Sequence, residues 1–317
     1  MNFKIDHVTS RLSLITLIPP IEGFDEFIGA WLFRGDVSFL VDVGPASTSE
    51  ALCDALDENF VGRLDFILLT HIHLDHAGGI GQVSNRFPES RIVCHPAAIP
   101  HLIDPKHLWE GTVNTLGKMG EAYGPVQPVP AHRMVSIEEL RSETIIPIPT
   151  PGHAGHHVGY LFGDILFSGE AGGVVLPIET DHPYIRPATP PRLFFQTFLR
   201  SLDCLIKKNP FRICCGHYGM HQNGADLLRI HRRQLLLWED IIEKVINSRT
   251  KTDPVDASFD KLIGADELLQ GLYQMDDRVQ KREIFFLKNS IRGFVEYIKE
   301  KPSTNAPLRD RRRSRET

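Results

Sequence analysis

The chain has 317 residues, of which 42% are hydrophobic, and its formal net charge at pH 7 is −5. This composition predicts a packed globular protein, and the weak negative charge argues against a nucleic-acid binder, which needs a basic surface to meet phosphate. The sequence contains no apolar run of about 18 residues and no N-terminal signal pattern, so neither a membrane partner nor export is expected. The five cysteines form no C-x-x-C pair, which is typical of a cytoplasmic protein.

The first part of the chain alternates between strand-like and helical patterns. Ala30 to Phe33 and Val37 to Val43 are apolar runs joined by the turn Arg34-Gly35-Asp36, which predicts an antiparallel hairpin. Further elements are predicted as strands over 12–17, 65–70 and 91–94 and as helices over 47–60 and 79–86.

An irregular stretch follows, from His95 to about Leu140. It contains scattered prolines and glycines and only a weak helical pattern over 108–119. Such a stretch suits an insertion over a pocket better than a layer of the core. It is therefore interpreted as a lid.

Regular patterns return after the insertion. Strands are predicted over 144–148, 158–162, 165–168 and 211–215, and helices over 193–208, 225–248, 259–273 and 282–300. The last residues are polar and arginine-rich, which favours a disordered tail. The sequence is thus divided into a main domain (1–248, with the insertion at about 95–140), a C-terminal helical extension (249–300) and a disordered basic tail (301–317).

The most informative segment runs from Thr70 to Gly79, between an apolar strand and a helix. Alternate side chains of an extended stretch share one side, so His71 and His73 can meet the same ion. Asp75 and His76 follow where the chain turns into the helix and can reach a second ion. Imidazole and carboxylate donors suit zinc, iron or manganese.

This His-x-His-x-Asp-His pattern resembles the signature of the metallo-β-lactamase superfamily, and the resemblance extends over about residues 10–240. Asp42 and Gly44 look like the family's early strand that ends in Asp-x-Gly. The segment Thr150-Pro151-Gly152-His153 resembles its Thr-Pro-Gly-His motif, which makes His153 the third histidine of the first metal site. Gly216-His217 resembles the last motif, which makes His217 a ligand of the second site.

One position departs from the family pattern. Where the family usually has Thr-Gly-Asp after a strand, this chain has Ser168-Gly169-Glu170. A glutamate is a competent oxygen ligand but is one methylene longer than the aspartate that would bridge the metals. Glu170 is therefore expected either to bridge two ions with a shifted geometry or to bind only one.

The resemblance implies an α/β fold, the four-layer αβ/βα sandwich, with two divalent metal ions, zinc first and iron or manganese as alternatives. It also implies a metal-bound hydroxide that attacks the substrate, with Asp75 orienting the nucleophile. Tyr218, next to His217, is a candidate donor to the developing oxyanion, with ordinary packing as the alternative. His157 is expected to support the site by hydrogen bonding, whereas His156 is expected to be structural or exposed.

The layout looks most like the glyoxalase II-like and lactonase-like branches, which favours a small ester, thioester or lactone as the small-molecule substrate. Two alternatives stay open, namely a mononuclear-iron enzyme similar to persulfide dioxygenases and a non-catalytic protein that keeps the metal site but acts by binding a ligand or partner, with the C-terminal helices forming an interface. Whether the protein forms a homo-oligomer is also open. The predicted pocket segments are 107–123 and 171–191, and the second contains Asp181, His182 and Arg186, the last as a substrate anchor or a salt-bridge partner.

Overall fold

The computed structural model describes residues 2–178, 183–248 and 251–301. In these ranges a large first sheet is antiparallel at its beginning and parallel at its end. Its strands, in spatial order, are β1 (Phe3–His7), β2 (Leu12–Leu17), β3 (Ile28–Phe33), β4 (Phe39–Val41), β5 (Phe66–Leu68), β6 (Arg91–Cys94) and β7 (Met134–Ser136). The predicted tail, apart from Lys301, lies outside the described residues.

A second sheet is mostly antiparallel, with one parallel pair at its centre. Its strands are β8 (Ile145–Pro149), β9 (Val158–Phe162), β10 (Ile165–Gly169), β13 (Arg212–Cys215) and β14 (Met220–Gln222), in the spatial order β14-β13-β10-β9-β8. A small hairpin sheet consists of β11 (Val174–Leu176) and β12 (Tyr184–Arg186).

The two large sheets pack against each other. The ring of Trp31 on β3 meets the ring of Phe167 on β10, with centroids 6.4 Å apart. The Trp31 indole donates to the carbonyl oxygen of Cys215 at 2.9 Å, and the Tyr160 hydroxyl donates to that of Leu69 at 2.9 Å. The polar ends of these two buried aromatic residues are thus satisfied by backbone carbonyl groups, as burial requires.

Helices cover the outer faces of both sheets. α1 contacts β1, β2 and α3, whereas α7 packs on α8 and α8 on β13. This arrangement confirms the predicted four-layer αβ/βα sandwich. The helices are α1 (Ser49–Glu58), α2 (Leu74–Ala77), α3 (Ile80–Arg86), α4 (Ile99–Ile103), α5 (Lys106–Leu116), α6 (Lys118–Tyr123), α7 (Phe195–Lys207), α8 (Gly224–Asn247), α9 (Pro254–Ala265) and α10 (Asp277–Glu300).

The stretch predicted to be an irregular insertion contains regular structure. β7 pairs in parallel with β6, with Met134 opposite Ile92, and is the last strand of the first sheet. A strand of three residues is too short for its periodicity to be recognised. The weak helix predicted over 108–119 is two helices, α5 and α6, because Gly117 between them has a φ of +55°, which continues no right-handed helix.

The C-terminal helices pack onto the main body through α8. The helix predicted over 259–273 ends at Ala265, and a 3-10 helix follows over Glu267–Gln274. The break is at Asp266, whose carboxylate accepts hydrogen bonds from Gln234 at 2.8 Å and from Trp238 at 2.7 Å on α8. In the described part of the chain, none of the helices combines the length and apolar character needed to cross a bilayer.

Candidate metal centre

The candidate site lies at the carboxyl ends of several strands. Asp42 follows β4 and His71 follows β5, and these two strands are parallel neighbours. Glu170 follows β10 and His217 follows β13, which are also parallel. Parallel strands end at the same edge of a sheet, so side chains from distant parts of the sequence meet there. His153 joins them from the connection between β8 and β9.

A first group consists of His71, His73 and His153, each of which offers one nitrogen within 4.8 Å of the others. His73 Nδ1 and His153 Nε2 are 2.8 Å apart. His71 is buried, whereas His73 and His153 reach the wall of a cavity. The structure therefore brings together the three histidines that the sequence assigned to one ion.

A second group consists of Asp75, His76, Glu170 and His217, whose ligand atoms also lie within 4.8 Å of one another. His76 Nε2 is 3.2 Å from His217 Nε2, and Asp75 Oδ2 is 3.4 Å from the same atom of His217. Asp75 and His76 enter this group because α2 begins right after His73 and turns both side chains inward. The two groups together are called the histidine–carboxylate cluster below.

Glu170 lies between the two groups. Its Oε1 atom is 3.5 Å from His153 Nε2 in the first group and 3.2 Å and 3.4 Å from His76 Nε2 and His217 Nε2 in the second. Its Oε2 atom is 3.4 Å from His71 Nε2. The extra methylene of the glutamate thus leaves one carboxylate in reach of both groups.

Asp42 orients one histidine of the second group. Its carboxylate accepts three hydrogen bonds of 2.8 Å, from the backbone N–H of Thr70, from the Thr70 hydroxyl and from Nδ1 of His76. Because the His76 Nδ1 donates, the lone pair of its Nε2 points into the cluster. A carboxylate behind a ligating histidine is a common arrangement in metal sites.

Backbone carbonyl groups orient two further histidines in the same way. His217 Nδ1 donates to the carbonyl oxygen of Phe27 at 2.9 Å, and His153 Nδ1 donates to that of Ala188 at 2.7 Å. A carbonyl oxygen can only accept, so both Nδ1 atoms carry the proton. The Nε2 lone pairs of both residues therefore face the cluster.

This donor set fits metal ions. His76 Nε2 and His217 Nε2 lie 3.2 Å apart, a spacing that suits two ligands of one cation. His71 Nε2 and Glu170 Oε2 are buried and have no hydrogen-bond partner among the described residues. Buried polar atoms are nearly always partnered, so these atoms point to an ion as the partner. Imidazole nitrogens and carboxylate oxygens are donors for zinc, iron and manganese.

Electrostatics favour the metal-binding forms of His73, Asp75 and Glu170. Burial, which lowers the pKa of His76 and His217, is outweighed by neighbouring carboxylates that raise both pKa values. Burial lowers the pKa of His73 to about 3. Burial also opposes ionisation of Asp75, but His76 and His217 outweigh it and lower the pKa of that carboxyl to about 2. For Glu170, burial is likewise outweighed by the surrounding histidines, and its pKa is well below its usual value. At neutral pH His73 is therefore neutral and both carboxylates are charged, as ligation requires.

The cluster opens into a cavity of about 1130 Å³. Both segments predicted to form the pocket contribute to its wall, the first through α5 and α6 and the second through Val174 and the residues after β12. The cluster residues that line the cavity are His73, Asp75, His153, Glu170 and His217.

Two residues predicted near the site have other partners. The Tyr218 hydroxyl is 2.8 Å from the Thr16 hydroxyl on β2, and Tyr218 does not line the cavity. This corrects its interpretation as an oxyanion donor, because the side chain after His217 points toward the first sheet. Arg186 lines the cavity but is buried against the carboxylate of Glu283, so the salt-bridge alternative describes it.

The two histidines after His153 have different environments. His157 is buried, with Nδ1 2.7 Å from the Thr150 hydroxyl and Nε2 accepting from the backbone N–H of Glu170 at 3.2 Å. It thus supports the segment that carries Glu170. His156, predicted to be structural or exposed, lines the cavity and accepts from the backbone N–H of Ile72 at 3.3 Å. Asp181 and His182 lie outside the described residues.

Residues of α10 line the cavity, and the sequence analysis did not anticipate them. Phe285, Phe286, Asn289 and Arg292 contribute to the wall. Phe27, also unanticipated, stacks on the ring of His217 with centroids 4.1 Å apart. Helical spacing predicts the helix α10, but no local signal in the sequence shows which part of the protein it packs against.

Comparisons with known proteins agree with this geometry. A metallo-beta-lactamase fold-containing protein of Sulfurisphaera tokodaii is 25% identical over 232 residues, which cover 70% of this chain and 83% of that protein. A hydroxyacylglutathione hydrolase of Acidiphilium cryptum is 32% identical over 158 residues. That match spans 50% of this chain and about half (52%) of the hydrolase.

The fold has solved counterparts. The crystal structure of an archaeal metallo-beta-lactamase superfamily protein from Sulfolobus tokodaii superposes with a TM-score of 0.66 at 20% identity, covering 91% of this chain and 99% of that one. The family model of the metallo-beta-lactamase superfamily matches residues 26–217. That range includes every residue of the histidine–carboxylate cluster and more than half of the chain. The chain therefore belongs to the metallo-beta-lactamase superfamily.

Proposed function

We propose that the protein is a hydrolase that holds two divalent cations in the histidine–carboxylate cluster and cleaves a small ester, thioester or lactone. The observation that carries this proposal is the position of Glu170, whose Oε1 lies 3.5 Å from His153 Nε2 and 3.2 Å from His76 Nε2. One carboxylate is thus available to both ligand groups. The first group has three further donors, the nitrogens of His71, His73 and His153. The second also has three, from Asp75, His76 and His217. A pair of ions is the occupant that uses all of these donors.

When bound, the two cations would supply Lewis acidity, which lowers the pKa of a water molecule and polarises a carbonyl group. His71, His73 and His153 would hold one ion, and Asp75, His76 and His217 the other, with Glu170 between them. We expect zinc first, with iron or manganese as alternatives, because nitrogen donors outnumber oxygen donors.

Asp75 would orient the attacking water. Its carboxylate lines the cavity and its side chain retains 18% of its exposure, so a water molecule can reach it from the substrate side. With a pKa of about 2 it is an acceptor throughout the neutral range. An acceptor at this position fixes one O–H bond of the water and turns an oxygen lone pair toward the carbonyl carbon.

The buried hydrogen bonds behind the cluster would keep its geometry. Asp42 holds His76 through Nδ1, and the carbonyl of Phe27 holds His217. These groups are already paired before a substrate arrives, so the reaction needs little rearrangement of the protein. The hydrogen bond from the Glu170 backbone to His157 serves the same purpose.

Several observations favour carboxylic esters and thioesters over nucleic acids or other phosphodiesters. The formal charge of the chain is −5, and Arg186 in the cavity wall is already paired with Glu283. Similarity to hydroxyacylglutathione hydrolases, whose name denotes thioester cleavage, supports the same class. The complete second ligand group favours two ions over the single iron of a persulfide dioxygenase-like enzyme.

The first experiment is elemental analysis of protein purified without added metal or chelator. Close to two ions per chain is expected, together with hydrolysis of acetyl thioesters that a chelator abolishes and zinc or manganese restores. About one ion per chain, present as iron, with oxygen consumption on persulfides, would replace this proposal by the mononuclear alternative. Two ions without turnover of any ester, thioester or lactone would support the non-catalytic alternative.

A further inference from the structure

Helix α5 presents one face to the cavity, and its leucines also pack against the edge of the core. Besides His107 at its start, its lining residues are Leu108, Gly111, Thr112, Thr115 and Leu116, whose spacing places them on the same side of a helix. None of the residues of α5 is buried. The apolar side of this helix therefore has the cavity as its neighbour, and small residues between the two leucines keep that space open.

Helix α10 contributes a second face to the same cavity, from a segment far away in the chain. Phe285 and Phe286 line it, and Phe285 is 40% exposed although it is a large apolar residue. Apolar side chains left in contact with solvent inside a concave site are typical of ligand pockets. The faces of α5 and α10 that line the cavity are called the helical wall below.

The carboxylates of the cavity lie at its metal-binding end, whereas the exposed Arg292 belongs to the helical wall. Among the lining residues that the structure describes, the carboxylates are Asp75 and Glu170, both in the cluster. Arg186 is neutralised by Glu283, and Arg292 is exposed. A ligand that follows the helical wall thus meets mainly apolar surface and few groups that would recognise charge.

We infer that the helical wall binds an alkyl chain attached to the scissile carboxyl group of the substrate, which rests on the proposed hydrolase function. The cavity volume of about 1130 Å³ exceeds what a short acyl group fills. It lies just above the range of about 300–1,000 Å³ that is usual for small-molecule sites. The chain can belong to the acyl part or to the leaving group, because both flank the carbonyl at the cluster.

The reaction balances without a further reactant. The oxygen of water forms a bond to the carbonyl carbon, the C–S or C–O bond breaks, and the leaving thiolate or alkoxide takes one proton. The products are a carboxylic acid, which ionises to a carboxylate and releases the other proton, and a thiol or alcohol. The helical wall takes part only by holding the chain.

Part of this wall is not covered by the match to the superfamily. The family model ends at residue 217, whereas α10 spans Asp277–Glu300. The metal ligands and this part of the substrate wall are therefore carried by different segments. Substrate preference can be tested separately from metal binding for this reason.

The test is a series of N-acetylcysteamine thioesters from acetyl to dodecanoyl, with a parallel series of acetyl thioesters whose alkyl thiols increase in length. We expect kcat/KM to rise about two- to four-fold for each added methylene in one of the series until the cavity is filled. The series that shows the rise identifies the side of the carbonyl that the helical wall binds. Turnover with no rise in either series would overturn the inference while leaving the hydrolase proposal intact.

Gly111→Trp is the matching variant. A side chain at Gly111 meets no atom within 4 Å of its Cβ, so the new indole can enter the cavity without disturbing α5. We expect the ratio of long-chain to acetyl kcat/KM to fall about ten-fold or more. Asn114→Trp, exposed on the same helix and not lining the cavity, should keep the wild-type ratio.

A binding measurement separates the inference from the hydrolase proposal. Calorimetric titration with octanoate and dodecanoate should give tighter binding of the longer acid to the wild type and to Asn114→Trp, and weaker binding to Gly111→Trp. Chain-length-dependent binding without turnover would support the helical wall and refute the hydrolase. Equal affinities for the acids in all three proteins would refute the alkyl site.

Discussion

The histidine–carboxylate cluster and the helical wall meet in one cavity but are built differently. Cluster residues such as His76 follow the ends of strands and are held by buried hydrogen bonds to Asp42 and to backbone carbonyl groups. Wall residues such as Phe285 are partly exposed on helices and lack such bonds. Side chains that position reacting groups need a rigid surround, whereas side chains that bind an alkyl chain need only shape and apolar surface. Substitutions in the two regions should therefore have separable effects.

Removal of a ligand from the cluster should have the largest effect. His73→Ala deletes one of three nitrogens in the first group, so metal content should fall and turnover should drop to the background rate. The wall is untouched, so octanoate should still bind better than acetate. Metal analysis and thioester turnover measure these two effects. His132→Ala, which removes an exposed histidine, is the control. Retained turnover in His73→Ala would refute the assignment of the cluster.

Shortening of the shared carboxylate should have the next largest effect. Glu170→Asp should withdraw the carboxylate from at least one group. In the wild type, each group has a histidine nitrogen within 3.5 Å of a Glu170 oxygen. We expect metal content to fall from about two toward one ion and kcat to fall about 10²-fold, the usual consequence of an ångström-scale displacement. Unaltered metal content and rate would mean that the glutamate has no special role.

The hydrogen bond behind His76 should contribute less. Asp42→Asn keeps the size of the side chain and suits the backbone φ of 59° there, but it removes the charge that accepts from Thr70 and His76. We expect about 10–100-fold weaker metal binding or activity. Titration of the metal-free protein with zinc measures it. An affinity equal to that of the wild type would show that the backbone alone orients His76.

Loss of the Tyr218 hydroxyl should have the smallest effect on catalysis. Its partner is the buried hydroxyl of Thr16, and neither residue lines the cavity. Tyr218→Phe should leave kcat and the chain-length preference unchanged and lower the free energy of unfolding by about 1–2 kcal/mol, because Thr16 loses a buried partner. Thermal unfolding and turnover check this. A large fall in kcat would show that the Tyr218 hydroxyl does take part in catalysis.

The sequence identifies the cluster better than the wall. Thr70 to His76 contains ligands within a few residues of each other, and the strand predicted before them over 65–70 is present over Phe66–Leu68. Glu170 and His217 likewise follow strand ends directly or within two residues, and His153 lies in the connection between β8 and β9. Local patterns were less informative for short elements, such as β7, and for helix breaks, such as the one at Gly117.

The sequence, through its resemblance to the metallo-β-lactamase superfamily, indicated the two-sheet fold and the residues of the cluster, and its periodicity indicated helices in the regions of α5 and α10. Only the tertiary structure decided that both helices line one cavity, that Glu170 reaches both ligand groups, that Arg186 pairs with Glu283, and that Tyr218 points to Thr16. The physical reason is range. Periodicity and strand ends reveal which side chains share a face, whereas the partner of that face is chosen by packing between segments that are far apart in the chain.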